Sequence, residues 1–143
     1  MFIQNKYGEV VNLEHVIAFK FFDDKAPYEL YLFTEKTETI FQFESAESLK
    51  AAIKKIMPKL MRQCLRWAKC YTKNQNWQFR SDKIMSINDE CCWNLTVSMA
   101  NRDFSVYTGA ENDEDLWVYK KQIAESLAED VFNSGIITFE VLD

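Results

Sequence analysis

Glycine is scarce in this chain: three residues in 143, Gly8, Gly109 and Gly135. Spaced so widely, they cannot build a G-x-G-x-x-G dinucleotide turn, a Walker phosphate loop or a G-x-S-x-G nucleophile elbow. Histidine occurs once, at His15, which excludes H-E-x-x-H sites, multi-histidine zinc centres and any mechanism needing two imidazoles. No run of 18 uncharged apolar residues occurs, and the opening Met1-Phe2-Ile3-Gln4-Asn5-Lys6 has no signal-like apolar core. These absences give the expectation of a cytoplasmic protein with no membrane contact. The four cysteines are Cys64 and Cys70, six apart, and the adjacent Cys91 and Cys92. Neither gap is a zinc knuckle, so reduced thiols, no metal and no cofactor are expected.

Aromatic residues are plentiful instead: 11 Phe, 6 Tyr and 4 Trp. A chain of this length buries roughly 68 to 70% of its unfolded surface, so these rings have a core to fill. Their spacing reveals the elements. A hairpin is expected over residues 2 to 5 and 9 to 12. Ile17, Phe19 and Phe21, then Tyr28, Leu30 and Leu32, then Phe41 and Phe43, alternate as three strands. The period then lengthens: Ser45 is placed as an N-cap, and Leu49, Ile53, Ile56 and Leu60 share one helical face.

The second half follows the same order. Met85 and Ile87 lead into an Asn88-Asp89-Glu90 turn, Trp93, Leu95, Val97 and Met99 alternate, and Phe104 and Val106 follow. A helix is expected from Asn112 or Asp113, with Leu116, Tyr119, Ile123, Leu127 and Val131 inward and Gly135 as its C-cap, then a last strand from Ile136 to Leu142. An offset of about 65 residues between the halves reads as a degenerate β-β-β-α duplication.

Charge divides the chain differently. Residues 50 to 83 hold ten Lys or Arg and one acid, a net of +9, between flanks of −5 and −9. Basic residues in this block step by three to five, and Leu60, Cys64, Trp67 and Tyr71 step by three or four. A helix from Ala46 to Thr72, kinked or split at Pro58, is therefore expected. The fold class that results is α+β, with two similar antiparallel-sheet-plus-helix halves joined by a long or Pro-kinked basic helix. Boundaries fall at 1–60, 61–82 and 83–143, within one globule.

With no catalytic motif, this charge pattern carries the functional reading. The leading expectation is non-catalytic protein binding, as a small inhibitor, immunity or regulatory protein, with a second copy of the chain as a possible partner. Arg62, Arg66, Lys69, Lys73, Trp77 and Arg80 are the candidate binding residues. The alternative is nucleic-acid binding through residues 50–83, cations on phosphates and rings on bases. A small enzyme comes third. His15 is the sole imidazole for a thiol or serine nucleophile, Asp23-Asp24-Lys25 fits a turn better than a metal-nuclease element, and Glu111 to Asp115 fits a helix entry better than a calcium loop.

Overall fold

The computed structural model describes residues 1–62, 64 and 66–134, with side chains through Ser126. The Ile136 to Leu142 strand, the Gly135 cap and the Leu127 and Val131 side chains lie outside the described residues. Strands β1 (Phe2–Gln4), β2 (Val10–Asn12), β3 (Ala18–Phe22), β4 (Tyr28–Phe33) and β5 (Glu38–Phe43) precede helix α1 (Ala46–Leu60). Strands β6 (Trp67–Tyr71), β7 (Asn76–Arg80), β8 (Ile84–Glu90), β9 (Asn94–Met99) and β10 (Arg102–Val106) precede helix α2 (Asp113–Ser134). The chain is thus a mixed α+β structure. Among the described residues, no helix is long and apolar enough to cross a membrane.

A five-stranded antiparallel sheet, ordered β5-β4-β3-β7-β6, forms the middle layer. Alternation along each strand sends side chains to opposite faces, and both faces are apolar. Phe19, Phe21, Leu30, Leu32 and Trp67 face α1, which buries Leu49, Ile56 and Leu60 against them, with Val11 and Leu13 from the N-terminal segment. Ala18, Phe33, Cys70, Trp77 and Phe79 face the other way, onto Leu95, Val97, Met99 and Phe104 of a three-stranded sheet, β10-β9-β8. Leu116 and Ile123 of α2 complete that second core.

Local signals explain the element ends. Ser45 caps α1 through a reciprocal pair with Ser48, its Oγ accepting from the Ser48 N–H at 3.1 Å. Asn112 Oδ1 accepts from the Asp115 N–H at 2.9 Å, and three acids occupy the first turn of α2. In the β1–β2 hairpin, Asn5 Oδ1 accepts from the Tyr7 and Glu9 N–H groups at 3.0 and 2.9 Å.

The connecting basic helix is not what forms. The α1 helix stops at Leu60, two residues beyond Pro58, and Trp67 to Tyr71 is strand. Pro58 has no N–H for the Lys54 carbonyl, so the last turn is weakened from within. Trp67 and Tyr71 are four apart, a spacing that satisfies a helix and, as two strand repeats, a β-strand equally. Ala68 at 1% exposure and Cys70 at 0% decide between them, because they bury the opposite face of the same segment. A second correction concerns Asn88-Asp89-Glu90, which pairs with Thr96, Leu95 and Asn94 as strand. The reversal falls at Cys91–Trp93, and an irregularity between Ile84 and Ser86 leaves Met85 71% exposed.

A three-strand meander followed by a helix occurs twice, as β3-β4-β5-α1 and β8-β9-β10-α2. The two differ in company: β3 pairs with β7 inside the large sheet, whereas β8 sits at the edge of the small one. Along the outer edge of β6 runs α2. Gln122 Oε1 accepts from the Tyr71 N–H at 2.6 Å, Gln122 Nε2 donates to the Tyr71 carbonyl at 3.3 Å, and Ser126 Oγ accepts from the Lys69 N–H at 3.4 Å.

Phe79 is fully buried, stacked on Trp77 with centroids 5.2 Å apart and tilted against Phe104 at 5.9 Å. Phe79→Ala is expected to cost about 3–5 kcal/mol of unfolding free energy, read from the denaturant midpoint.

Candidate binding surface

Helix α1 turns its apolar stripe to the sheet, and its cations flank the outward face. Lys50, Lys54 and Lys55 are exposed and Lys59 is half-buried, while Glu47 is the helix's acid. Lys50 is tied to Asp23 at 3.8 Å. No carboxylate among the described residues lies within ion-pair distance of Lys54, Lys55, Lys59, Arg62, Lys69 or Lys73.

The six residues expected to bind separate into two groups. Arg62 is exposed just past α1, Arg66 is half-buried at the entry to β6, and Lys69 is exposed on β6, its Nζ 5.9 Å from the Tyr71 ring centroid. Lys69 lies on the same strand face as Trp67 and Tyr71, which pack toward α1, so it shares the helix's side of the sheet. Lys73 is exposed in the β6–β7 turn.

Trp77 and Arg80 do not join them. Trp77 is 2% exposed in the opposite core, its Nε1 donating to Gln75 Oε1 at 2.7 Å. Arg80 is 9% exposed and grips Asp82 with two bonds, Nε to Oδ1 at 3.1 Å and Nη2 to Oδ2 at 2.8 Å. Alternation places Trp77 and Phe79 together on the face away from α1. Trp67, at 8% exposure, is also core, so the basic face offers charge without a platform of exposed indoles.

Gly109 supports this surface from behind. It holds φ +71, and an added Cβ would come to 3.0 Å from Asn74 side-chain atoms and the Lys73 Cβ. The turn above it is closed by Thr72, whose Oγ1 accepts from the Asn74 and Gln75 N–H groups at 3.3 and 3.0 Å.

Elsewhere the chemistry-bearing residues are dispersed or occupied. His15 lines an open cleft of about 380 Å³ with Lys36, Arg80, Lys83, Glu14 and Glu35, and no cysteine reaches that lining. Asp89, Glu90 and Asp113 line a second cleft, but each is engaged: Asp89 with Lys120 at 2.8 Å, Glu90 with Thr96, and Asp113 with the Trp93 indole N–H at 3.0 Å. No group of three or more potential metal ligands occurs among the described residues. Sequence reading passed over Lys20, a half-buried amine 4.7 to 5.8 Å from the centroids of Phe22, Tyr31, Phe33 and Trp77. Burial pulls its pKa down against the attraction of Glu38 and Glu29. A lysine inside an alternating aromatic strand gives no signal of this until β4 and β7 are placed on either side of it.

No family model matches this chain, and no curated protein matches it. Among solved structures, a LytTr DNA-binding domain from Bacillus cereus is similar at a TM-score of 0.45 and 13% identity, covering 85% of this chain and 94% of that one.

Two outcomes follow from the geometry around Lys73 and Arg80. Gly109→Ala is expected to lower stability by about 1–3 kcal/mol in denaturant unfolding, from left-handed strain and the clash with the Lys73–Asn74 turn. For Asp82, burial alone would raise the pKa, but hydrogen bonds from Arg80 and Cys64 outweigh it and hold the carboxyl below its ordinary value. Folding therefore favours the ionised form. Its contribution is present above the unfolded carboxyl pKa of about 3.9 and is lost as pH falls through the lower folded value. Asp82→Asn is expected to flatten that acid limb of the Tm-against-pH profile, measured by thermal melts.

Proposed function

We propose that the chain is a non-catalytic binding protein whose α1–β6 face grips the phosphate backbone of nucleic acid. One observation carries this reading: Lys54, Lys55, Arg62, Lys69 and Lys73 are exposed and Lys59 half-buried, with no carboxylate of the described residues within ion-pair distance of them. Each cation placed on a phosphate releases condensed counterions, and that release is the driving force of sequence-independent binding. With Trp67, Trp77 and Phe79 in the cores, contact is with charge and groove rather than stacked bases. The acidic second half repels a polyanion and so orients it toward α1.

A protein partner is the second reading, favoured by a different surface. Trp93, Tyr107, Trp117 and Val118 are 43 to 61% exposed beside Glu111, Asp113 and Glu114, an aromatic and acidic mixture suited to a basic partner held by an inhibitor or regulator. In organisation, the recurring meander-and-helix order supports 1–60 and 83–143 as two versions of one unit, with 61–82 joining them.

Titration of a labelled 20-base-pair duplex over a salt series tests the first reading. Affinity is expected to fall log-linearly with salt, and the triple variant K54Q/K55Q/K59Q to reduce the slope by about 2–3 with the Tm unchanged. Absence of binding at low salt would remove nucleic acid and leave the acidic aromatic surface as the functional one.

A further inference from the structure

The β8–β9 reversal holds two thiols side by side. Cys91 and Cys92 are both exposed, while Cys70 is buried and Cys64 is half-buried. Cys92 and Trp93 take φ values of +62 and +59, two successive non-glycine residues in the left-handed region. Such a backbone persists only where its surroundings hold it. Here Trp93 Nε1 donates to Asp113 Oδ1 at 3.0 Å, the Trp93 carbonyl accepts from Thr108 Oγ1 at 2.8 Å, and Asn94 Oδ1 accepts from the Thr108 N–H at 3.2 Å. Cys92 also lines the cleft of about 420 Å³ between this reversal and the start of α2, which gives a small solute access to its sulfur.

We infer that Cys91 and Cys92 form a reversible oxidation site, a dithiol that takes a peroxide as oxidant and closes to a disulfide within the turn. The neighbouring Cys92 side chain pushes the Cys91 pKa up. Cys92, which lines the cleft, is the thiol that meets the peroxide first. The Cys92 thiolate takes one oxygen of hydrogen peroxide, the O–O bond breaks and water leaves after protonation, giving a sulfenic acid. Cys91 sulfur then attacks that sulfur, the S–O bond breaks and a second water leaves. Two thiols and one peroxide thus become one disulfide and two waters. Consecutive Cα atoms stand about 3.8 Å apart, short of the usual disulfide span of about 4.4–6.8 Å. The resulting bond is strained and readily reduced, which suits a reversible mark better than a structural bridge. The site belongs to the sheet layer opposite α1 and does not depend on the nucleic-acid reading.

The test treats the full chain with equimolar hydrogen peroxide, alkylates with iodoacetamide in denaturant and digests with trypsin, which frees residues 84–102 as one peptide containing both cysteines. The expected result is a loss of about 2 Da on that peptide with no alkylation, restored by dithiothreitol, while Cys64 and Cys70 are alkylated. Cys91→Ser is expected to leave a Cys92 sulfenic acid that dimedone traps. A doubly alkylated peptide, a disulfide-linked dimer through these residues, or sulfinic acid as the first product would each overturn the assignment.

Discussion

The pairing of β3 with β7 is the constraint on which the rest of the structure depends. It joins Ala18–Phe21 to Asn76–Phe79 across more than fifty residues of chain, and it makes one sheet out of strands from both sides of α1. Because both faces of that sheet are apolar, each must be covered, and the two coverings differ. Helix α1 lies on one side and a second sheet with α2 on the other. Phe33, Trp77, Phe79 and Phe104 meet at the second interface with centroids 5.2 to 5.9 Å apart, so aromatic geometry adds to area burial where the layers join.

This layering sorts the charge. Lys54, Lys55 and Lys59 of α1 share a layer with the Lys69 face of β6, while Asp103 and the acids of the first turn of α2 belong to the other. In the acidic second half, Lys120 and Lys121 pair with Asp89 and Glu125, and in the basic block Lys50 pairs with Asp23 and Arg80 with Asp82. A small negative net charge thus conceals a block of +9 between flanks of −5 and −9. Long-range steering depends on how such charges are distributed, not on their sum.

Much of the fold was legible in the residues themselves. Ser45 as a cap, the Leu49–Ile56–Leu60 stripe, the alternation of Leu95, Val97 and Met99, and the acidic entry to α2 are local signals that packing left in force. Misreading began where a local pattern served two periods. Trp67 and Tyr71, four apart, fit a helix as well as a strand, and only the partner strand β7 and the opposite core resolve them. Binding residues were legible by charge but not by depth. Lys69 and Lys73 are on the surface, yet Trp77 and Arg80, close by in sequence, are taken inward by the alternation of β7 and by Asp82. No sequence pattern announces which face of a two-faced strand meets solvent.

Both margins of the five-stranded sheet are closed by amide side chains. Gln122 clasps the outer backbone of β6, and on the far side Asn5 Nδ2 donates to the Ile40 carbonyl of β5 at 2.9 Å. Unpaired strand margins invite further strands to add and so seed aggregation. At Ile40 and at Tyr71, an incoming peptide would have to displace Asn5 or Gln122 before it could extend the ladder there.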